Sequence, residues 1–377
     1  MVGRIALVVA LGGALVIGQA APQAPRPVPT LEDVRKAMGI PSSGDVRGQQ
    51  DVVGYASRPD QMAAIWDLAA TAPAPESFGR APQPGVLGAI CPHDDYVYAG
   101  RVYRQILPLV TARTVVLVGV FHQFRRFGAR NQLVFDPYRA WRSPDGEIPI
   151  SSLRGELLSS LAPGDAVQNA AMHDVEHSLE AIAYWLKHAR RDVEIVPVIL
   201  PEASFERFQE LDARLGAGLA KAMQARSWQL GRDVAIVISS DGVHYGSDFQ
   251  YTPYGAGGIE AFTKAVARDR ELMNGPLTGP VQPAKARAFF EACVDPANPS
   301  TYRMPWCGRF SIPFGLLLLQ ETAQRLGLSA PVGQPVALGV SVDTPELPVK
   351  PLGMGPTAPA NLYHFVTHPA VAFTKVP

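Results

Sequence analysis

From Gly85 onward the chain repeats one pattern: a short apolar run, a polar or glycine-containing turn, then a stretch with helical periodicity. The apolar runs are Val86 to Cys91, Thr114 to Val120, Gln132 to Phe135, Val193 to Leu200, Val234 to Ser239, Val336 to Val342 and Leu362 to Val366. Between them lie helical stretches at Gly100 to Val110, His177 to Ala189, Phe205 to Arg226, Gly257 to Met273, Pro283 to Val294 and Pro313 to Leu326. Strands that are apolar on both faces leave no side for water, so they belong in a sheet covered by helices. The pattern therefore predicts the α/β class: a single sandwich domain with a central mixed, largely parallel sheet flanked by helices. No second Pro/Gly/Ser-rich break divides it, so the domain runs from about residue 45 to the end.

The N-terminal part has a different character. Arg4 is followed by an apolar run from Ile5 to Ile17 and then by Gly18-Gln19-Ala20, with small residues where a signal peptidase reads them. Thirteen residues fall well short of the roughly 20 needed to cross a bilayer as a helix. Residues 1–20 are expected to be a cleaved export signal, cut after Ala20, which places the mature chain in the periplasm or outside the cell. The competing reading is an uncleaved anchor. Ala21 to Pro29 holds four prolines and should be extended. Thr30 can cap a short helix from Leu31 to about Met38, completing a 21–44 linker segment ahead of the domain at 45–377. A further helical pattern runs from Asp60 to about Ala70.

Charge narrows the partners. With 34 basic and 34 acidic residues, the chain lacks the basic excess expected of a protein that binds nucleic acid or an anionic membrane surface. The mature chain is expected to have no membrane span. Three cysteines are too few for a disulfide scaffold.

In open α/β sheets ligands bind beyond the carboxyl ends of strands. Three of the eight histidines stand there: Val86 to Cys91 leads into Pro92-His93-Asp94-Asp95-Tyr96, Thr114 to Val120 into Phe121-His122, and Val234 to Ser239 into Ser240-Asp241-Gly242-Val243-His244. Cys307 lies in the Pro- and Gly-punctuated loop Met304-Pro305-Trp306-Cys307-Gly308-Arg309. Two imidazoles and a thiolate, with a third imidazole nearby, suit iron(II), copper or zinc and exclude magnesium or calcium. His244, with Asp241 three residues earlier, could serve as acid or base instead of as a ligand. Each residue also has a plainer reading: a strand-end histidine as a hydrogen-bonded structural residue, Cys307 as the disulfide partner of Cys293, Cys91 as core. Ser240, Asp241 and His244 supply triad residue types, but no Gly-x-Ser-x-Gly turn accompanies them.

The motifs resemble those of the Memo family, the protein B partner of bacterial systems that also encode a radical SAM protein. Pro92-His93-Asp94-Asp95-Tyr96-Val97-Tyr98-Ala99-Gly100 is similar to P-H-A-G-Y-x-Y-S-G, and Gly119-Val120-Phe121-His122 to G-P-S-H. Trp141-Arg142-Ser143-Pro144-Asp145-Gly146-Glu147-Ile148-Pro149 resembles W-x-T-P-L-G-x-V-P, and Glu176-His177-Ser178-Leu179-Glu180 matches E-H-S-L-E. Ser239-Ser240-Asp241-Gly242-Val243-His244-Tyr245-Gly246 resembles S-S-D-L-S-H-Y-G, and Cys307-Gly308-Arg309 the late C-G-R. The resemblance implies the sandwich fold of class III extradiol dioxygenases, metal ligation by His93, His122 and Cys307, and a catalytic base at His244 with Asp241 beside it. It also implies pocket-lining by Tyr96, for which a place in the core is the commoner reading. Asp94 and Asp95 depart from the family by replacing a small residue and a glycine after His93, adding carboxylates near the metal. His177 is open between a role at the site and one in starting its helix. The export signal is at odds with a cytosolic radical SAM partner.

Two functions follow as expectations. One is an exported protein with a non-haem iron or copper site, zinc being the alternative ion, that performs redox or dioxygenase-like chemistry. The other is a non-catalytic module that uses a dioxygenase-like crevice to hold a small molecule, a peptide or a metal.

Overall fold

The computed structural model describes residues 37–342 and 345–375. The expected signal, the proline-rich segment and nearly all of the Leu31 to Met38 helix lie outside them.

The centre is an 11-stranded sheet. In chain order its strands are β1 (Glu76–Ser77), β2 (Gly88–Cys91), β3 (Thr114–Val120), β4 (Leu133–Phe135), β5 (Ala166–Gln168), β6 (Glu194–Leu200), β7 (Val234–Ser239), β8 (His244–Gly246), β9 (Gly279–Pro280), β10 (Val332–Val340) and β11 (His364–Thr374). The order across the sheet is β9-β10-β11-β2-β7-β3-β6-β4-β5, with β1 added to β10 and β8 to β11. Strands β2, β7, β3 and β6 run parallel, and β10 and β11 are antiparallel additions at one side. All seven residues of β3 are buried, as are all six of β7, which is why these runs carry no polar alternation.

Helices cover both faces. On one side lie α1 (Pro59–Thr71), α2 (Tyr96–Ile106) and α5 (Glu180–Ala189); on the other lie α6 (Phe205–Ala225), α8 (Pro283–Cys293) and α9 (Ser311–Arg325), with α6 and α9 packed along each other. Short helices α3 (Leu153–Ser159) and α4 (Ala170–Asp174) follow the small outer strands, and α7 (Ile259–Asn274) packs near β11. The mixed sheet flanked by helices is the architecture the sequence pattern predicts.

Three differences from the sequence expectation have local causes. Helix α2 begins at Tyr96, four residues before Gly100, and ends at Ile106, where Pro108 turns the chain into a 3-10 segment, Leu107–Leu109. Helix α5 begins at Glu180, so His177 precedes it. Strand β11 continues through Pro369 to Thr374, and a bulge at Pro335 to Ala337 in β10 absorbs the irregularity.

A small three-stranded sheet of Val46–Arg47, Ala140–Trp141 and Ile148–Pro149 holds the start of the domain. Its Arg47 is buried, lies 4.2 Å from the Trp141 ring centroid and pairs with the buried Glu180 at 2.6 Å. Glu180 also accepts the Gln50 and Asp51 amides at 2.6 and 3.2 Å, which fixes the segment leading to Tyr55.

Candidate metal centre

Because β7 lies between β2 and β3, the carboxyl ends of these three parallel strands stand side by side. The loops beyond them carry His93, His122 and the Asp241–His244 segment into one cleft of about 400 Å³. A one-turn 3-10 segment, Cys307–Arg309, brings Cys307 beneath it just before α9. That approach demands glycine at 308, since a Cβ there would stand 2.2 Å from Ser240 Oγ.

The ligand-type atoms of His93, His122 and Cys307 all lie within 4.8 Å of one another. His93 Nδ1 is 2.7 Å from Ser239 Oγ, and the Ser239 hydroxyl donates to the Ser178 carbonyl at 2.5 Å. Ser239 must therefore accept from His93, which leaves Nε2 as the basic nitrogen. This Nε2 faces Asp241 Oδ2 at 3.3 Å and Cys307 Sγ at 3.6 Å. Three electron-rich atoms thus converge, an arrangement that a cation or a shared proton relieves. The 3.6 Å separation agrees with the edge of about 3.6 Å between nitrogen and sulfur ligands of a tetrahedral zinc-type centre. The donor set fits a borderline-soft ion.

Glu176, whose role no sequence pattern marks, anchors the second imidazole. Its Oε2 accepts the His122 amide at 2.6 Å, and its Oε1 lies 2.9 Å from His122 Nδ1 and accepts the Ser178 amide at 2.9 Å. Burial opposes ionisation, but the charge and hydrogen bond of His122 outweigh it and bring the carboxyl down to about 2. His122 responds in the opposite sense: desolvation pulls it down, yet Glu176 raises it overall. The E-H-S-L-E string contained the signal, but a carboxylate reaching 54 residues back to another strand end leaves no local pattern.

His177 lies in the cleft wall, its ring stacked on His122 with centroids 4.8 Å apart and planes 10° apart. His244 donates from Nδ1 to the Gly242 carbonyl at 3.1 Å, which leaves Nε2 basic, and burial brings its pKa down to about 4. Asp241 is engaged with His93 more than with His244: its Oδ1 accepts the His93 and Asp94 amides at 2.8 and 3.2 Å. Burial and then the Asp94 charge raise the Asp241 carboxyl to about 7. Cys307 accepts the Asp241 amide at 3.0 Å, while burial pushes its thiol well up.

Asp94 and Asp95 both border the cleft. Asp94 pairs with the buried His368 at 2.7 Å, and Asp95 accepts the Thr357 amide and hydroxyl at 2.6 and 2.9 Å, although it stands at the N-cap of α2. Tyr96 lies behind the wall, fully buried beside Trp185 with its hydroxyl on the Ala181 carbonyl. Tyr55 and Tyr98 stand at the cleft in its place. His364 and Phe249 also border the cleft, neither singled out in the sequence. Ser240 is committed to backbone partners, donating to Asp241 O and accepting from Gly308 N, which leaves no hydrolytic relay to His244. Cys91, Cys293 and Cys307 are all free thiols, so the disulfide alternative is not formed. A larger cavity of about 580 Å³ reaches the His122 loop through Gln123 and Arg126, but among the described residues no histidine or cysteine lines it.

Fold and cleft together define an α/β sheet protein in which two strand ends and a 3-10 turn gather a two-His, one-Cys set of metal-ligand type. A family model described as Memo-like protein matches residues 53–325, and the chain belongs to the Memo family. It is 30% identical over 179 residues to a MEMO1 family protein of Thermococcus onnurineus and 28% identical over 178 residues to one of Pyrococcus furiosus. Each alignment covers 45% of this chain and 57% of the relative. A MEMO1 family protein of Archaeoglobus fulgidus is 28% identical over 161 residues, covering 42% of this chain and 56% of the relative. The chain thus spans little more than half the length of these relatives.

Proposed function

We propose that this member of the Memo family is an exported metal-binding protein in which His93, His122 and Cys307 hold an iron or copper ion and His244 serves as the acid or base. The observation that carries this reading is that ligand-type atoms of His93, His122 and Cys307 all lie within 4.8 Å of one another, with Cys307 Sγ 3.6 Å from His93 Nε2. A bound ion of this kind would supply Lewis-acid and redox chemistry to a ligand in the cleft.

The chain's own residues do the rest. Ser239 holds the His93 tautomer and Glu176 holds the His122 ring, as outer partners do at metal centres. His244, neutral at pH 7 with its Nε2 basic, can take a proton from a hydroxyl-bearing ligand and return it. Phe249 packs edge-on to His244 with centroids 5.0 Å apart, limiting the orientations of the imidazole. Among the described residues no helix is long and apolar enough to cross a membrane, and export rests on the N-terminal signal pattern.

Metal analysis of protein purified from the periplasm tests the binding half, with about one iron or copper per chain expected. Retention of no transition metal, or equal content in His93→Ala and His122→Ala, would overturn it. Oxygen uptake with a catechol, abolished in His244→Ala, tests the catalytic half. Metal retention with no uptake under any substrate leaves the storage or ligand-binding module as the function. N-terminal sequencing of the periplasmic form should begin at Ala21.

A further inference from the structure

We propose that Asp269, on α7 and outside every motif of the sequence, is a positioning residue that sets the places of Cys307, His244 and His368 together. The inference rests on the reading of Cys307 and His244 as working residues of the cleft.

Asp269 is fully buried. Its Oδ1 accepts Trp306 Nε1–H at 2.7 Å; its Oδ2 accepts the Val243 amide at 3.2 Å and the Thr367 hydroxyl. Each donor immediately precedes a residue at or behind the cleft: Trp306 comes before Cys307, which lies beneath it, Val243 before His244 in its wall, and Thr367 before the buried His368, the partner of the cleft residue Asp94. The three segments are also stitched to one another. Val243 bridges Trp306, the His244 amide donates to Pro305 O at 3.3 Å, and Gly242 N donates to Thr367 O at 2.8 Å. A Cβ at Gly242 would stand 2.1 Å from Thr367 Oγ1 and 3.0 Å from Asp269 Oδ2, so the junction closes only around glycine.

A carboxylate suits this place because all of its neighbours donate. An asparagine offers one acceptor and one donor, so it sets an NH2 group against Trp306 or Val243. Since Val243 N–H and Trp306 Nε1–H cannot become acceptors, at least one of the tethers is lost.

The test uses the full chain. Metal-free protein is alkylated with iodoacetamide and the labelled cysteine identified by peptide mass spectrometry. Cys307 in wild type is 5% exposed and should react slowly. Asp269→Asn should raise its rate ten-fold or more while Cys91 and Cys293 stay protected. A core variant on α6, Leu219→Ala, compared at the same distance below its own melting temperature, should keep the wild-type rate. Trp306→Phe and Thr367→Val, each removing one donor, should move the rate in the same direction and keep the test alive if Asp269→Asn does not fold. A wild-type rate in these variants, or equal acceleration in Leu219→Ala, would overturn the proposal. In a second arm cobalt(II) is added: Asp269→Asn should bind at least ten-fold more weakly and shift the thiolate-to-cobalt absorption band, and an unchanged affinity and band would count against the proposal. If wild type itself binds no cobalt(II), the metal reading falls and the alkylation arm decides the role of Asp269.

Discussion

The carboxylate of Glu176 grips His122 at two points, accepting its backbone amide at 2.6 Å and standing 2.9 Å from its ring Nδ1. One side chain thus fixes both the loop and the ring. Glu176→Gln keeps the shape and replaces one acceptor oxygen by an NH2 group, which either opposes the His122 amide or opposes the Ser178 amide and meets the ring only by donating to Nδ1, putting the proton on the Nε2 that would ligate. Metal affinity, read by competition with a chelating dye, should fall by about 10- to 100-fold, as for other partners behind ligating histidines. Affinity equal to wild type would mean that Glu176 does not orient the ligand.

Ser239 links His93 to the Ser178 carbonyl and so controls which His93 nitrogen is basic. Ser239→Ala leaves that buried carbonyl without its donor. Urea unfolding should show a loss of about 1–3 kcal/mol. Metal affinity should fall as well, because His93 is no longer held in one tautomer. A destabilised variant with intact affinity would separate the structural role of the hydroxyl from the proposed one.

The sequence made the sheet legible because its central strands are buried on both faces: Thr114–Val120 and Val234–Ser239 stand where the apolar runs do. It also placed His93, His122 and His244 at strand ends, and strand order turned those three positions into one cleft. What it did not show depended on contacts between distant segments. Glu176 reaches His122, Asp269 reaches Trp306 and Thr367, and His368 reaches Asp94 across 274 residues, and no spacing rule links such pairs. Tyr96 takes the core place, not the pocket-lining one, for a related reason. Resemblance locates it in a motif, but the helix that starts there turns its ring into the core beside Trp185.

Close packing beneath the centre gives a prediction at Gly308. A Cβ there would meet Ser240 Oγ at 2.2 Å and Ser240 Cβ at 2.3 Å. Gly308→Ala should cost about 1–3 kcal/mol in chemical unfolding. Adding Ser240→Gly should recover part of the loss. A neutral Gly308→Ala would show that the Cys307 turn can shift away from β7.

Far from the cleft, Asp212 on α6 is buried with Oδ1 lacking a hydrogen-bond partner. Burial, and then the nearby Glu321 charge, raises its carboxyl from 3.8 to about 8. The unfolded chain therefore gives up this proton near pH 4 while the folded chain keeps it to about pH 8. The contribution of Asp212 to stability should be full below pH 4, fall as pH rises through that window, and level off above it. Asp212→Asn should flatten this part of the pH profile and gain roughly 1–3 kcal/mol at pH 8. Parallel profiles for the two proteins in thermal unfolding between pH 4 and 8 would contradict the assignment.

X-ray absorption at the metal edge tests the central claim most directly. Zinc-loaded wild type should show one sulfur at about 2.3 Å and imidazole nitrogens at about 2.0–2.1 Å. Cys307→Ser should lose the sulfur shell and His93→Ala part of the imidazole scattering. A wild-type spectrum with no sulfur shell, or one unchanged in Cys307→Ser, would contradict a centre built from His93, His122 and Cys307.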